Sequence, residues 1–442
     1  MTSVFQYFKN NKKFKKNSIS YYGQFFVSTF TQIVFPALMI LIWGADKFGI
    51  IIYLISIPAF LSILILNFSS GTRQEMIQVK IKKDYNLLKT YYSNFVFLAL
   101  ASYVIYIVVS LFVINFFDFK KLDLFLKNEN IKLILYFIFS SQFIKFFETI
   151  YSNKISYYGK FYIIKYMDTG TDLILKTSMI IIGLISDLLS LLFFIYLVIN
   201  LIKVCLYIFL GRNVRELTFD YSKINYFDCI FLIKKNLQYI FISFDELIKN
   251  SLMPLLIGYF FEFRIVTLFT TLKTMFYFFP QKFFLILNEV LQFDYIKLYY
   301  DGKTKLLKKI FIRQNVITLL FLTLFLLFCH FFGNNIYNLW TNYEFSEINI
   351  QSIIYLIIFE CFFISTGISL ITVLKSFNKA NIFSIISFFL YGIICLLSFL
   401  FFQMDYSIEI IFKLSLLSSF VVFLISISSL NETKKYFIKK NV

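Results

Sequence analysis

Apolar windows of membrane-spanning length, one after another, constrain this chain more than any other feature. A hydrocarbon core takes about 20 apolar residues per helix. Windows of that kind lie near 20–43, 48–70, 91–114, 131–151, 160–183 and 187–210, then near 236–258, 265–289, 310–332, 350–373, 380–402 and 407–430. The fifth is the least clear, because Lys165, Asp168, Asp172 and Lys176 fall inside it. The chain is 59% hydrophobic and 15% charged, with a mean hydropathy of +0.75. A soluble domain carries about 25% charged residues, so the bilayer must be the main solvent here. The spacing predicts an all-α integral membrane protein of about 12 transmembrane helices, with 20–43 as a retained first helix and not a cleaved signal.

Lysine and arginine set the orientation. Lys12, Lys13, Lys15 and Lys16, Arg73 to Lys89, Arg212 to Lys235, Lys297 to Lys309 and Lys434 to Lys440 all fall on one side of the twelve windows. The other side offers little beyond Lys47, Lys120, Lys121, Lys127 and Arg264. The positive-inside rule then places both termini in the cytoplasm. The net charge of +18 is a topological signal, and no nucleic-acid partner is expected because no soluble domain exists to carry the surface. Connections on the opposite side, the longest near 115–130 and 333–349, are too short for a catalytic module. The five cysteines show no metal spacing and no disulfide framework. A P-loop of the GxxxxGK[ST] kind is absent from the sequence.

A short polar corner recurs. "FPALMILIWGADKFGIIIYLISIPAF" from Phe35 and "SLMPLLIGYFFEFRIVTLFTTLKTMFYFFP" from Ser251 each give a proline-bearing helix end, an acidic corner and a new apolar helix. Asp46 falls opposite Glu262, and Pro36 near the equivalent of Pro254. Prolines bend helices, so these two are candidate hinges. Six spans separate the copies, as in parallel repeats about an axis along the membrane normal. The expected lobes are residues 1–215 and 216–442, two pseudo-repeated six-helix bundles around a central cavity.

These features resemble the polysaccharide exporters of the MATE-like (MOP) superfamily, and most of all the O-antigen (Wzx-type) flippases. The resemblance rests on the corner "GADKFGIIIY" with Gly44, Asp46, Phe48 and Gly49, and on the basic segment "GTRQEMIQVKIKKDYNLLKT". Asp245 near the start of the seventh helix and "IYNLWTNYEF" after the ninth complete it. The second corner departs from the pattern by lacking glycine. Membership implies the MOP flippase fold in a bacterial inner membrane. It also implies alternating-access translocation of an undecaprenyl-diphosphate-linked oligosaccharide, driven by a proton or sodium gradient. Membrane lipids, glycosyltransferases and a polysaccharide polymerase are the expected partners, with no cofactor beyond the coupling ion. The alternative is a cation-coupled drug antiporter of the MATE branch, whose cavity should be less cationic. An enzyme is not expected.

Charges within the spans are the candidate site residues, since each costs about 2.5–3.5 kcal/mol at mid-bilayer unless it faces a polar lumen or a partner. A diphosphate needs cations. Lys145, Lys176, Lys249, Lys273 and Arg264 are the candidate substrate-binding residues on that ground. Asp168, Asp172, Asp245 and Glu360 are candidate ion-coupling carboxylates, with structural pairing as the alternative for each. Spacing alone pairs Lys145 with Glu148, and Asp245 with Lys249. Lys203 and Lys282 are expected to snorkel toward headgroups. His330 reads as interfacial, not as a proton relay.

Overall fold

The computed structural model describes residues 12–62, 83–116, 129–157, 161–212, 217–282, 303–348, 350–376, 381–404 and 406–428, with scattered residues between them. Inside these helices a few side chains, including those of Asp245 and Glu246, lie outside the described residues. Helix is the only regular structure among the described residues.

The first two expected spans form one broken helix, α1 (Lys12–Leu61), whose non-helical residue is Gly44 at φ 76°, ψ 168°. Only glycine takes that conformation at no steric cost. The break in α1 lies at Gly44, while Pro36 keeps helical backbone angles. Next come α2 (Tyr85–Phe116), α3 (Ile131–Tyr157), α4 (Phe161–Ile185) and α5 (Leu189–Gly211). The seventh expected span is α6 (Tyr226–Leu247), a π-helical turn (Ile248–Leu252) and α7 (Met253–Phe260). The eighth opens with α8 (Phe263–Lys273) and a second π-helical turn (Thr274–Phe278). Each π turn ends just before a proline, Pro254 or Pro280, where the wider turn accommodates a ring with no N–H to donate. Four helices complete the described chain: α9 (Thr304–Trp340), α10 (Gln351–Ser376), α11 (Asn381–Gln403) and α12 (Glu409–Ser428).

Six of these helices are long and apolar enough to cross a membrane by length and composition alone. The fifth expected span, α4, is not among them, because its charges break the apolar window. Asp168 is met by partners on α5, and Asp172 and Lys176 pair within α4, as described below.

The chain divides into two compact units, one of residues 1–31 and 50–255, the other of 32–49 and 256–442. This differs from the expected division at 215/216. Each half of the sequence lends a segment to the other half's unit, and the reason is polar bonding. In the first unit Asn94 of α2 accepts from the backbone N–H of Asn225 at 2.9 Å, and Asn225 caps α6 through Phe227. Further along α6, Asn236 accepts from the Gly71 N–H at 2.8 Å and donates to Thr72 at 3.0 Å. These buried bonds fix the start of the seventh span to the first unit.

In the second unit the two corners meet. Asp46 accepts from the Arg264 N–H at 3.1 Å, supplying the cap that Glu262 does not make at the start of α8. Thr267 donates to the Ala45 carbonyl at 2.6 Å, and Trp340 donates to the Ile33 carbonyl at 2.8 Å. A Cβ at Gly49 would collide with the Phe263 carbonyl, so glycine is required for this approach.

Candidate functional site

Three neighbouring helices of the first unit, α3, α4 and α5, bring charged side chains together. Lys203 of α5 stands between two carboxylates, with its Nζ 2.7 Å from Glu148 Oε1 on α3 and 2.9 Å from Asp168 Oδ1 on α4. The Tyr207 hydroxyl, one turn along α5, donates to the same Asp168 oxygen at 2.9 Å. Lys203 is therefore no snorkelling lysine. Its side chain is 14% exposed and its ammonium is held by protein carboxylates. Lys145, expected beside Glu148, is not the partner, and it has no ion pair among the described residues.

One turn after Asp168, Asp172 pairs with Lys176 at 2.9 Å, and Lys176 also donates to Thr31 of α1 at 3.2 Å. Four-residue spacing on one face of α4 makes that pair readable from the sequence. Glu148, Asp168 and Lys203 sum to one negative charge when all are ionised, and the Asp172–Lys176 pair adds none. Glu148 Oε2 is buried and has no hydrogen-bond partner among the described residues.

The second unit holds its charges differently. Lys273, the last residue of α8, pairs with Glu360 of α10. Ser415 of α12 donates to Glu360 Oε1 at 2.7 Å and accepts from Lys273 at 3.4 Å. Tyr277 lies 4.7 Å from the ammonium, with the rings of Phe269 and Phe412 about it at 6.0 and 5.9 Å. The Glu360 side chain is 0% exposed and that of Lys273 8%, so this is a closed and neutral pair.

The remaining candidates are scattered. The Arg264 guanidinium donates to the Glu344 backbone carbonyl, lies 3.9 Å from the Glu344 carboxylate and packs 5.7 Å from the Phe345 ring. Lys249 is half-buried in the π turn after α6. Asp245 is in α6, with its side chain outside the described residues. His330 is exposed, with Nδ1 2.6 Å from the Tyr355 hydroxyl and the rings stacked. The described residues include no cluster of three His, Cys, Asp or Glu able to hold a metal ion. Sequence spacing gave Glu148 a different partner, took Lys203 for a snorkelling lysine, and missed Tyr207 and Ser415.

The sequence matches no family model and no curated protein. Solved structures do match. A MATE multidrug transporter, DinF-BH in complex with rhodamine 6G, aligns at a TM-score of 0.61 and 14% identity, covering 98% of this chain and 97% of that one. A MOP superfamily transporter from Pyrococcus furiosus, described by the reverse polarity of its binding pocket, aligns at 0.61 and 11% identity over 97% of each. An inward-facing multidrug resistance MATE family transporter of the same superfamily gives 0.58 and 12%, covering 93% of this chain and 95% of that one. The chain has the fold of MATE transporters of the MOP superfamily, with two repeated six-helix bundles. These neighbours are transporters, not enzymes.

Proposed function

We propose that the chain is a cation-coupled exporter working by alternating access, and that its cargo is a small molecule, as in MATE-branch antiport. The observation that carries this reading is the fate of the candidate cations. Lys176, Lys273 and Arg264 each have a carboxylate partner, and Lys203 in the first unit stands between two. A diphosphate headgroup calls for the reverse polarity. A carboxylate-rich cluster suits a cationic cargo or a coupling ion. Asp168 and Asp172 remain the coupling carboxylates of this proposal, with Asp245 as a further one. In this reading Glu360 serves as the structural partner of Lys273.

The second reading is the lipid-linked oligosaccharide flippase. Two features favour it: the corner around Gly44 and Asp46, and Lys145, which is half-buried and carries no ion pair among the described residues. In either reading the protein sits in the cytoplasmic membrane with both termini inside, as the lysine and arginine distribution supports. Surrounding lipids are its partners, joined by glycosyltransferases and a polymerase in the second reading alone.

Deletion and complementation separate the two readings. Under the first, cells lacking the protein retain a cationic dye such as rhodamine 6G, and the restored gene expels it. Under the second, dye handling is unchanged and a lipid-linked glycan accumulates on the cytoplasmic leaflet. Dye efflux that is the same with and without the gene rules out the first reading.

A further inference from the structure

On the side that the lysine and arginine distribution assigns to the cytoplasm, cations of the first unit fall into two groups. Lys89 near the start of α2 lies 3.4 Å from Asp220, and Lys235 of α6 lies 3.2 Å from Glu75. Lys154 in the last turn of α3 and Arg212 at the C-cap of α5 have no carboxylate partner among the described residues. A helix C-terminus carries a partial negative charge of about half a unit, which offsets only part of one cation.

Aromatic rings hold these two cations. The Lys154 ammonium lies 5.3 Å from the ring of Tyr92 on α2 and 5.2 Å from that of Tyr151 on α3. The Arg212 guanidinium packs on Phe209 of α5 at 4.5 Å. Tyr151 also packs against Gly211, so closely that a Cβ there would come within 2.7 Å of the ring. The ring under Lys154 thus touches the residue next to Arg212, and the ends of α3 and α5 are joined at this point. A ring face attracts a cation without neutralising it.

The surface leading away from Arg212 along α5 is apolar. Ile202, Leu206 and Phe209 are all exposed and, at four- and three-residue intervals, share one face of the helix. Phe209 connects that face to the guanidinium. Cations at the end of an apolar strip, with rings between them, match the build of a phospholipid, whose phosphate lies at the interface and whose acyl chain runs into the bilayer. A free phosphate would use the cations and leave the strip bare. Basic pockets between spanning helices on the cytoplasmic side bind anionic lipid headgroups in this way.

We infer that Lys154 and Arg212 form a specific site for the phosphodiester of an anionic phospholipid such as phosphatidylglycerol, whose chain lies along Ile202, Leu206 and Phe209. The site uses none of the residues of the Glu148–Lys203–Asp168 cluster and holds under either reading of the cargo.

The test is a lipid titration of the full-length protein, purified in an uncharged detergent, with the melting temperature as readout. Phosphatidylglycerol is expected to give a saturable rise, and phosphatidylcholine and inorganic phosphate are expected to give none. Lys154→Gln with Arg212→Gln should raise the phosphatidylglycerol needed for half the rise by about 25-fold, roughly fivefold for each cation lost. Arg212→Gln alone, at an exposed side chain, should raise it about fivefold and decides the matter should the double variant fold poorly. Lys154→Arg should bind like the wild type. The control is Lys89→Gln with Lys235→Gln, which removes the same charge from the same side and should leave the titration unmoved.

An equal rise with phosphatidylcholine, or an equal shift in the control variant, would trace the effect to bulk lipid or diffuse charge and overturn the inference. A rise given by inorganic phosphate alone would make this a site for a soluble anion and overturn the lipid assignment. Unmoved titrations in the double variant and in Arg212→Gln would remove both residues from the site.

Discussion

Each unit buries an ammonium among carboxylates, Lys203 in the first and Lys273 in the second, and they balance its charge differently. Lys273 and Glu360 pair with each other, shut off from solvent, with Ser415 bonded to both partners and aromatic rings around the ammonium. Lys203 has two carboxylates, and side chains in its cluster reach 31% exposure at Asp168. The closed pair sets one carboxylate against its ammonium, and the open cluster sets two. On the proposed reading the second arrangement belongs to the transport site, so buried charge alone does not mark one and stoichiometry separates the two cases.

The largest effect should come from breaking the closed pair. Glu360→Gln takes the carboxylate away from the buried Lys273 ammonium, and is expected to cost about 3–5 kcal/mol of stability. It should read as a collapse in the yield of monodisperse protein, or in its melting temperature in detergent. The double variant Lys273→Met with Glu360→Gln removes both charges and should recover most of that loss. Recovery of stability together with wild-type transport would confirm that this pair is scaffold. Stable protein with no transport would move it into the working machinery and end the contrast between the units.

The same operation on the open cluster should be milder. Lys203→Met leaves Glu148 and Asp168 facing one another without a cation. Part of the penalty is relieved by solvent at Asp168, so about 2–3 kcal/mol is expected. The loss should therefore be smaller than that of the Glu360 variant, and melting temperatures of the two variants in detergent check this. Equal losses would mean that the two clusters respond alike.

What is legible in the sequence follows from the range of the interactions involved. The spans are readable because the bilayer imposes length and polarity locally, and Gly44 because a sharp corner needs a residue free to take positive φ. Asp172 and Lys176 are readable because four residues is about one helical turn. Lys203 resembles a snorkelling side chain in the sequence because its partners are 55 and 35 residues away, on α3 and α4, and helix adjacency is not encoded in spacing. Spacing pairs Lys145 with Glu148 for the same reason. The boundary between the units is hidden because the bonds of Asn236 to Gly71 and of Asp46 to Arg264 cross the sequence midpoint.

A smaller effect is expected at the pair that spacing does find. Asp172 is 42% exposed and its partner Lys176 keeps a second contact in Thr31. Asp172→Asn should cost no more than about 0.5 kcal/mol, in the range of exposed i,i+4 pairs. A loss several times larger in a thermal melt would show that Asp172 belongs to the Glu148–Lys203–Asp168 network.

The smallest effect lies outside the membrane-spanning segments, where a carboxylate is bonded in water. Asp220, in the connection before α6, accepts from the Ser222 side chain at 2.7 Å and backbone N–H at 3.1 Å, and lies 3.4 Å from Lys89. The hydrogen bonds from Ser222, assisted by Lys89, hold its carboxyl below the ordinary aspartate value. The sign follows from linkage. A depressed folded value means the ionised form is favoured in the folded state, so the contribution is present above the unfolded value and disappears as pH falls through the folded one. Asp220→Asn should therefore melt slightly below the wild type at neutral pH, and the two curves should converge in the acid range below about pH 4. A gap that persists there would mean that Asp220 acts through packing, and that water does not level this pair as it should when set against the buried clusters of the two units.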